Sequence, residues 1–185
     1  MSEAAVIDSA VQSDRVAQAW AVLCTVPDPE VPALSVCDLG IVRQVIEHPA
    51  QPSGQGASLE IVLTPTYSGC PATEVIAADC LAAISAAGLG QARVTLRRAP
   101  AWTTDWISSA GRAKLLAYGI APPGPVDLSV GVPMHIVRRR PLPAIACPRC
   151  ASTQTERLSA FGATACKALY RCMACREPFE HFKPL

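Results

Sequence analysis

Aromatic residues are scarce, at 5% of the chain, and no basic face interleaved with aromatics can be traced. The net charge is only +1 at pH 7, and Arg157, Lys167, Arg171 and Arg176 are scattered. That balance argues against a nucleic-acid partner, which binds clustered cations and stacking rings. Long hydrophobic runs are missing too. Pro, Asp or Arg interrupts each apolar stretch well short of the ~20 residues a membrane span needs, so no membrane role is read. The opening MSEAAVIDSA has acidic residues and no basic segment. It does not read as a secretory signal, and a cytoplasmic location is expected. A Ser-His-Asp set, a phosphate-binding glycine loop and an HExxH motif are all missing, so nothing points to independent catalysis. Internal repeats and coiled-coil heptads are missing as well.

What is present is a chain half hydrophobic by count and rich in Ala, Val and Leu, enough for a real core. Its 185 residues fit one ordinary domain with a small appendage. Cysteine is abundant, and the count of nine is odd. Without an export signal, metal ligation or thiol chemistry is the better reading than disulfides.

Hydrophobic periodicity gives the order of elements. Residues 9–24 read as a helix, with Val16, Ala19, Trp20 and Leu23 on one stripe. Ser9 with Gln12 offers a capping box, and Ser13 offers a later start. Pro27 and Pro29 stop it. Residues 41–47 and 58–63 read as two strands of a hairpin across the turn-rich 48–56. Pro71 suits the first turn of a second helix, with Val75, Ile76, Cys80, Ala83, Ile84 and Ala87 facing inward and Gly88 and Gly90 ending it. Residues 92–98 make a third strand. A last helix is expected over 104–118, with Trp106, Ala110, Ala113 and Ala117 on one side and Gly119 as cap. The fold class is therefore α+β: a three-stranded sheet with packed helices over 1–119. A proline-rich linker follows over 120–144, and a zinc-ribbon-like β module over 145–185. The linker carries Arg138, Arg139 and Arg140, read as a solvated run.

The strongest motif is Cys147-Pro-Arg-Cys150 with Cys172-Met-Ala-Cys175. Two CxxC pairs can converge four thiolates on one tetrahedral ion, and a closed shell of that kind is usually structural zinc. The 21 intervening residues stand one beyond the usual spacing. Iron would fit the same four sulfurs, and a redox pair is the alternative without metal. A hairpin of 153–158 and 165–171 around Gly162 is expected between the pairs, and metal binding would supply much of the folding free energy of so small a module. Cys166 falls on that hairpin, either as an extra metal-side thiol or as a buried core residue.

Cys70 falls at the start of the second helix. There the helix dipole favours a thiolate able to hold soft metal or sulfide; the alternative is a small buried capping residue. Asp28 and Glu30 flank Pro29, a pattern that ordinary turn chemistry also explains. Cys24, Cys37 and Cys80 read as core or near-core residues. His48, His135 and His181 are isolated and are not assigned as ligands.

Taken as motifs, Asp28-Pro29-Glu30-Val31-Pro32, Asp38-Leu39-Gly40-Ile41-Val42 and Leu63-Thr64-Pro65-Thr66-Tyr67-Ser68-Gly69-Cys70-Pro71 resemble the SufT-like iron–sulfur assembly family. Phe161-Gly162, the run from Thr164 to Cys172, and Glu177-Pro178-Phe179 extend this to a resemblance with the PaaD family of phenylacetate degradation. That family is accessory to the multicomponent oxygenase that epoxidises the ring of phenylacetyl-CoA. The resemblance implies an α+β fold, Cys70 as the working thiolate, Asp28 and Glu30 near it, and Thr64 shaping the same loop. It implies structural zinc in the tail and a transient iron–sulfur cluster or iron at Cys70. The implied partners are phenylacetyl-CoA oxygenase components, either the diiron subunit or the iron–sulfur reductase. The implied role is maturation of one of them, and the alternative is a non-catalytic structural subunit.

Overall fold

The computed structural model describes residues 13–50, 56–67, 69–124 and 144–184. Ser9, Gln12, His135, Arg138, Arg139, Arg140, most of the turn-rich 48–56 loop and most of the proline-rich segment lie outside them. Helix α1 is Asp14–Leu23, and Ser13 is its cap, accepting from the Val16 N–H at 3.2 Å. Val16, Ala19 and Leu23 are buried, while Trp20 is only packed against the core from its edge. Cys24, expected in or near the core, follows the helix and is exposed.

Strands β1 (Val42–His48) and β2 (Ser58–Leu63) pair antiparallel, and β3 (Gln91–Leu96) joins β2 in parallel. The parallel step needs a crossover, which helix α2 (Ala72–Ala86) supplies. In the order β1-β2-β3, the middle strand buries Leu59, Ile61, Val62 and Leu63. Helix α2 turns Ala72, Ile76, Cys80 and Ile84 inward, a strict i, i+4 row. Val75, expected on that face, is 49% exposed because it sits one residue off the row. Ala87 is exposed as well, lying beyond the helix end.

The expected helix over 104–118 is broken. A 3-10 turn, Thr104–Trp106, ends at Ile107, which is extended. Ser108 then caps a new helix α3, Ser109–Tyr118, by accepting from the Gly111 N–H at 2.9 Å. The reset moves the buried face to Gly111 and Leu115, leaving Ala110, Ala113 and Ala117 exposed. Gly111 packs tightly, since a Cβ there would lie 2.9 Å from the Asp38 carbonyl oxygen. Gly40 has φ +65°, and a Cβ on it would lie 2.5 Å from the Trp106 carbonyl oxygen, so the site requires glycine.

The C-terminal module is a four-stranded sheet in the order β4-β7-β6-β5. Strands β5 (Thr155–Ser159) and β6 (Lys167–Cys172) form the expected hairpin. Two further strands complete the sheet: β7 (Pro178–Phe182), antiparallel to β6, and β4 (Ile120–Ala121), parallel to β7. Through β4, which directly follows α3, the first domain donates a strand to the cysteine module. Phe182 and Cys166 are buried in the core of the α+β domain, and the Phe182 ring lies 6.0 Å from Trp102. A separate core forms around Cys147, Ala168, Tyr170, Cys172 and Phe179.

Among the described residues, no helix is long and apolar enough to cross a membrane.

Candidate metal and thiol sites

Cys147, Cys150, Cys172 and Cys175 bring four sulfurs within 4.8 Å of one another. Cys147 and Cys175 are 3.8 Å apart, and Cys150 and Cys172 are 3.5 Å apart. Tetrahedral zinc with Zn–S bonds of about 2.3 Å sets its sulfurs about 3.8 Å apart, so the four cysteines fit the ion. Each CxxC turn ends on a residue in left-handed conformation, Ala151 at φ 59° and Arg176 at φ 68°. That turn folds the second cysteine back towards the first and aims backbone N–H groups at sulfur. The Cys175 N–H reaches Cys172 Sγ at 3.5 Å. This N–H holds the Cys172 thiol down at about 6, which favours the thiolate a metal needs. His181 lies edge-on to Tyr170 and is kept below its usual pKa by burial; it is not part of the four-sulfur set.

The second site is a cavity of about 30 Å³ whose lining includes Asp28, Glu30, Tyr67, Cys70, Cys166 and Phe182. Three stretches of chain build it. The first is the loop after α1. Its ends are pinned by the Asp28 N–H on the Leu34 carbonyl and the Val36 N–H on the Val26 carbonyl. Asp28 Oδ1 accepts from the N–H groups of Glu30 (3.0 Å) and Val31 (2.8 Å), which fixes the carboxyl in place. Asp28 is buried, at 5% exposure. Burial pushes its pKa up, against the two N–H bonds that pull it down. Glu30 is exposed, at the rim.

The second stretch is the β2–α2 loop. Cys70 is half-buried and immediately precedes Pro71, the N-cap residue of α2. Tyr67 packs against it. Burial first, and then the neighbouring Cys70, push the phenol up to about 12.

The third stretch belongs to the cysteine module. Cys166 is 8% exposed, and its sulfur lies 3.0 Å from Thr164 Oγ1. Burial raises its thiol pKa. The Lys183 N–H donates to the Cys166 carbonyl at 2.9 Å, tying the residue to the end of β7. Its loop is braced from below: Lys167, only 3% exposed, pairs with Glu180 at 2.8 Å, and Glu180 also accepts from the Ala163 N–H.

Asp28, Glu30 and Cys70 line one cavity. Thr64 is buried on a neighbouring groove with Tyr67, Arg98 and Trp102 and does not line the cavity. Cys166 stands apart from the four-sulfur set and lines the same cavity as Cys70. Tyr67, Thr164 and Phe182 carry no separate signal in the sequence. The remaining thiols, Cys37 and Cys80, stay in or beside the α+β core, where burial raises both.

Comparison with known proteins bears on both sites. Residues 16–96 match the family model described as "Iron-sulfur cluster assembly protein". Residues 133–183 match the "PaaD zinc beta ribbon domain". The chain is 44% identical over 169 residues to an Escherichia coli (strain K12) protein named as a putative subunit of 1,2-phenylacetyl-CoA epoxidase, covering 91% of this chain and 93% of that one. The chain belongs to the same family. It combines an assembly-protein domain with a zinc ribbon, and the four-cysteine cluster fits the second. Among solved structures, the chain is similar to a Bacillus anthracis domain of unknown function, DUF59. The identity is 24% and the TM-score 0.48, over 56% of this chain and 93% of that one. A conserved hypothetical protein of Thermotoga maritima gives 28% identity and a TM-score of 0.40, over 52% and 89%.

Proposed function

We propose that this chain is an accessory subunit of a phenylacetyl-CoA oxygenase and aids assembly of an iron or iron–sulfur centre in one of its components. The observation that carries the reading is the position of Cys70. It is a half-buried thiol in a mostly apolar cavity beside a buried carboxyl group, Asp28, and under the Tyr67 phenol. A thiolate next to a carboxylate binds iron, and a phenol donating to sulfur moderates its basicity. The cargo is iron or a cluster, held briefly and released to the client. The diiron subunit and the iron–sulfur reductase are the two candidate clients.

The four ribbon cysteines serve a different purpose. Cys147, Cys150, Cys172 and Cys175 would hold zinc, which closes the ribbon and adds folding free energy. With four thiolate ligands, no position is left open for exchange. Strand β5, at the open end of the ribbon sheet, carries Leu158 at 48% exposure with Phe161 at 63% just beyond it. This apolar edge supports a docking role for the ribbon. It equally supports the second reading, a purely structural subunit.

Replacing Cys70 with Ser in cells that carry the oxygenase separates the two. An assembly factor loses most ring epoxidation while the variant accumulates normally and still binds the complex. A structural subunit keeps wild-type epoxidation and co-purifies in fixed stoichiometry.

A further inference from the structure

We infer that a basic groove on the three-stranded sheet docks an acidic, extended segment of the client, running from Arg43 past Arg97 and Arg98 to the loop that carries Cys70. The inference rests on the reading above, in which a client collects its iron at Cys70, and adds the surface that brings it there.

Helices α1 and α2 pack on the face of the sheet that carries Leu59, Ile61 and Leu63. The alternate residues of β2, Glu60 and Val62, turn to the other face, with Gln44 and Ile46 of β1 and Arg93 and Thr95 of β3 beside them. At the end of that face Arg43, Gln44, Thr64, Arg97 and Trp106 line one groove. Thr64 continues into a second groove with Thr66, Tyr67, Arg98 and Trp102. Thr66 and Tyr67 also line the Cys70 cavity. The loop 64–67 therefore joins a basic surface to Cys70.

The charge along this path is unanswered. Among the described residues none of Arg43, Arg97 and Arg98 forms an ion pair. Of the acids on the three strands, Glu47 turns to Ser13 and Arg15, and Glu60 is taken by Arg93 and His48. Asp105, next to Trp106 in the chain, is exposed and pairs with none of the three arginines. Arg43 is also held in place. Its guanidinium lies 3.6 Å from the centroid of the Trp106 ring and donates to the Gly40 carbonyl at 3.4 Å. Burial lowers its pKa, and no carboxylate offsets that. A guanidinium stacked on a ring keeps edge donors for a carboxylate.

The spread of the cations selects the occupant. Val42 and Leu96 both register with Leu63, so Arg43 and Arg97 follow them on opposite sides of β2. Their backbones stand roughly 10 Å apart, two strand spacings. Arg98 carries the row on towards Tyr67. A single phosphate is held by donors that converge on one point. Cations spaced along a groove, with Pro65, Pro100 and Ala101 between them, fit successive carboxylates of an extended chain instead.

The test measures binding of the full-length, zinc-loaded chain to the purified diiron subunit and to the purified iron–sulfur reductase, at about 0.05 M and about 0.5 M salt. Arg97→Glu with Arg98→Glu changes two exposed side chains, and the double variant is expected to keep its zinc and its unfolding midpoint. It should bind one component at least about tenfold more weakly than the wild type at the lower salt, with the gap closing at the higher. Arg97→Lys with Arg98→Lys keeps the charge and should still bind. Treated with a carbodiimide in the complex, its new amines should join Asp or Glu side chains of that component, and the cross-linked peptide identifies the segment. The inference is overturned if neither component binds the wild type, if the charge-reversed variant binds as the wild type does, or if no carboxylate is cross-linked at 97 or 98. Stabilisation of the wild type, but not of the charge-reversed variant, by coenzyme A or inorganic phosphate also overturns it, because the groove then belongs to a phosphate ligand. The Cys70 reading fails separately, if Cys70→Ser leaves epoxidation at the wild-type level while the docking contact is intact.

Discussion

Removing the Phe182 ring should undock the ribbon without emptying it of zinc. Phe182 is 2% exposed and belongs to the core of the α+β domain, not to the core around the four cysteines. Phe→Ala at a buried site costs about 3–5 kcal/mol. Loss of the contact with Trp102, centroids 6.0 Å apart, places Phe182→Ala toward the upper end. At about 2–4 °C per kcal/mol for a chain of this size, the unfolding midpoint should fall by roughly 6–20 °C. Trp102 is 5% exposed and should gain water, so tryptophan emission should shift to the red at temperatures well below the transition. Zinc stoichiometry should stay at the wild-type value, because none of the four ligating cysteines packs in the Phe182 cluster. A midpoint lowered by less than about 3 °C, with tryptophan emission unchanged, would refute the claim that this ring fastens the two parts together.

Glu180→Ala strands the buried Lys167 ammonium and removes the acceptor for the Ala163 N–H. Because Glu180 is 23% exposed, the cost should fall at or below the lower end of the ~3–5 kcal/mol typical of breaking a buried pair, read by urea denaturation. Ala151→Gly relieves a left-handed backbone position and should stabilise the zinc-loaded ribbon by about 1 kcal/mol, seen as slower zinc loss to a chelator. Glu60 has its pKa lowered to about 2 by hydrogen bonds from Arg93 first, then Thr95 and His48. Its unfolded value is near 4.5, so its contribution is complete above that pH and is lost as pH falls from 4.5 towards 2. Glu60→Gln should therefore show a shallower fall in denaturation midpoint than wild type across that window, and a parallel fall in both would contradict the assignment.

The sequence was most legible where structure is local. Strand β2 follows from its apolar run, and α2 from Pro71 at its start and the glycines after it. The CxxC pairs announce their geometry because each is a self-contained turn. The break at Ile107 escaped periodicity because Ser108 resets the helix by a side-chain cap, a choice worth about 1 kcal/mol that an unbroken apolar stripe conceals. Strand β4 is two residues long at the start of a proline-rich segment and exists only because β7 offers it an edge. Cys166 was the hardest case. It lies six residues before Cys172 but lines a cavity with Cys70, 96 positions away, and no local spacing encodes that placement. Val75 and Ala87 show the complementary error: apolar residues next to a buried row are not on it.

The most direct test of the account is the iron content of the oxygenase components. They would be purified from cells that express either the wild-type chain or Cys70→Ser at equal abundance. The account predicts that one component from the Cys70→Ser cells lacks most of its iron and regains activity when iron is supplied to it in vitro. Full iron occupancy in every component from those cells would contradict it.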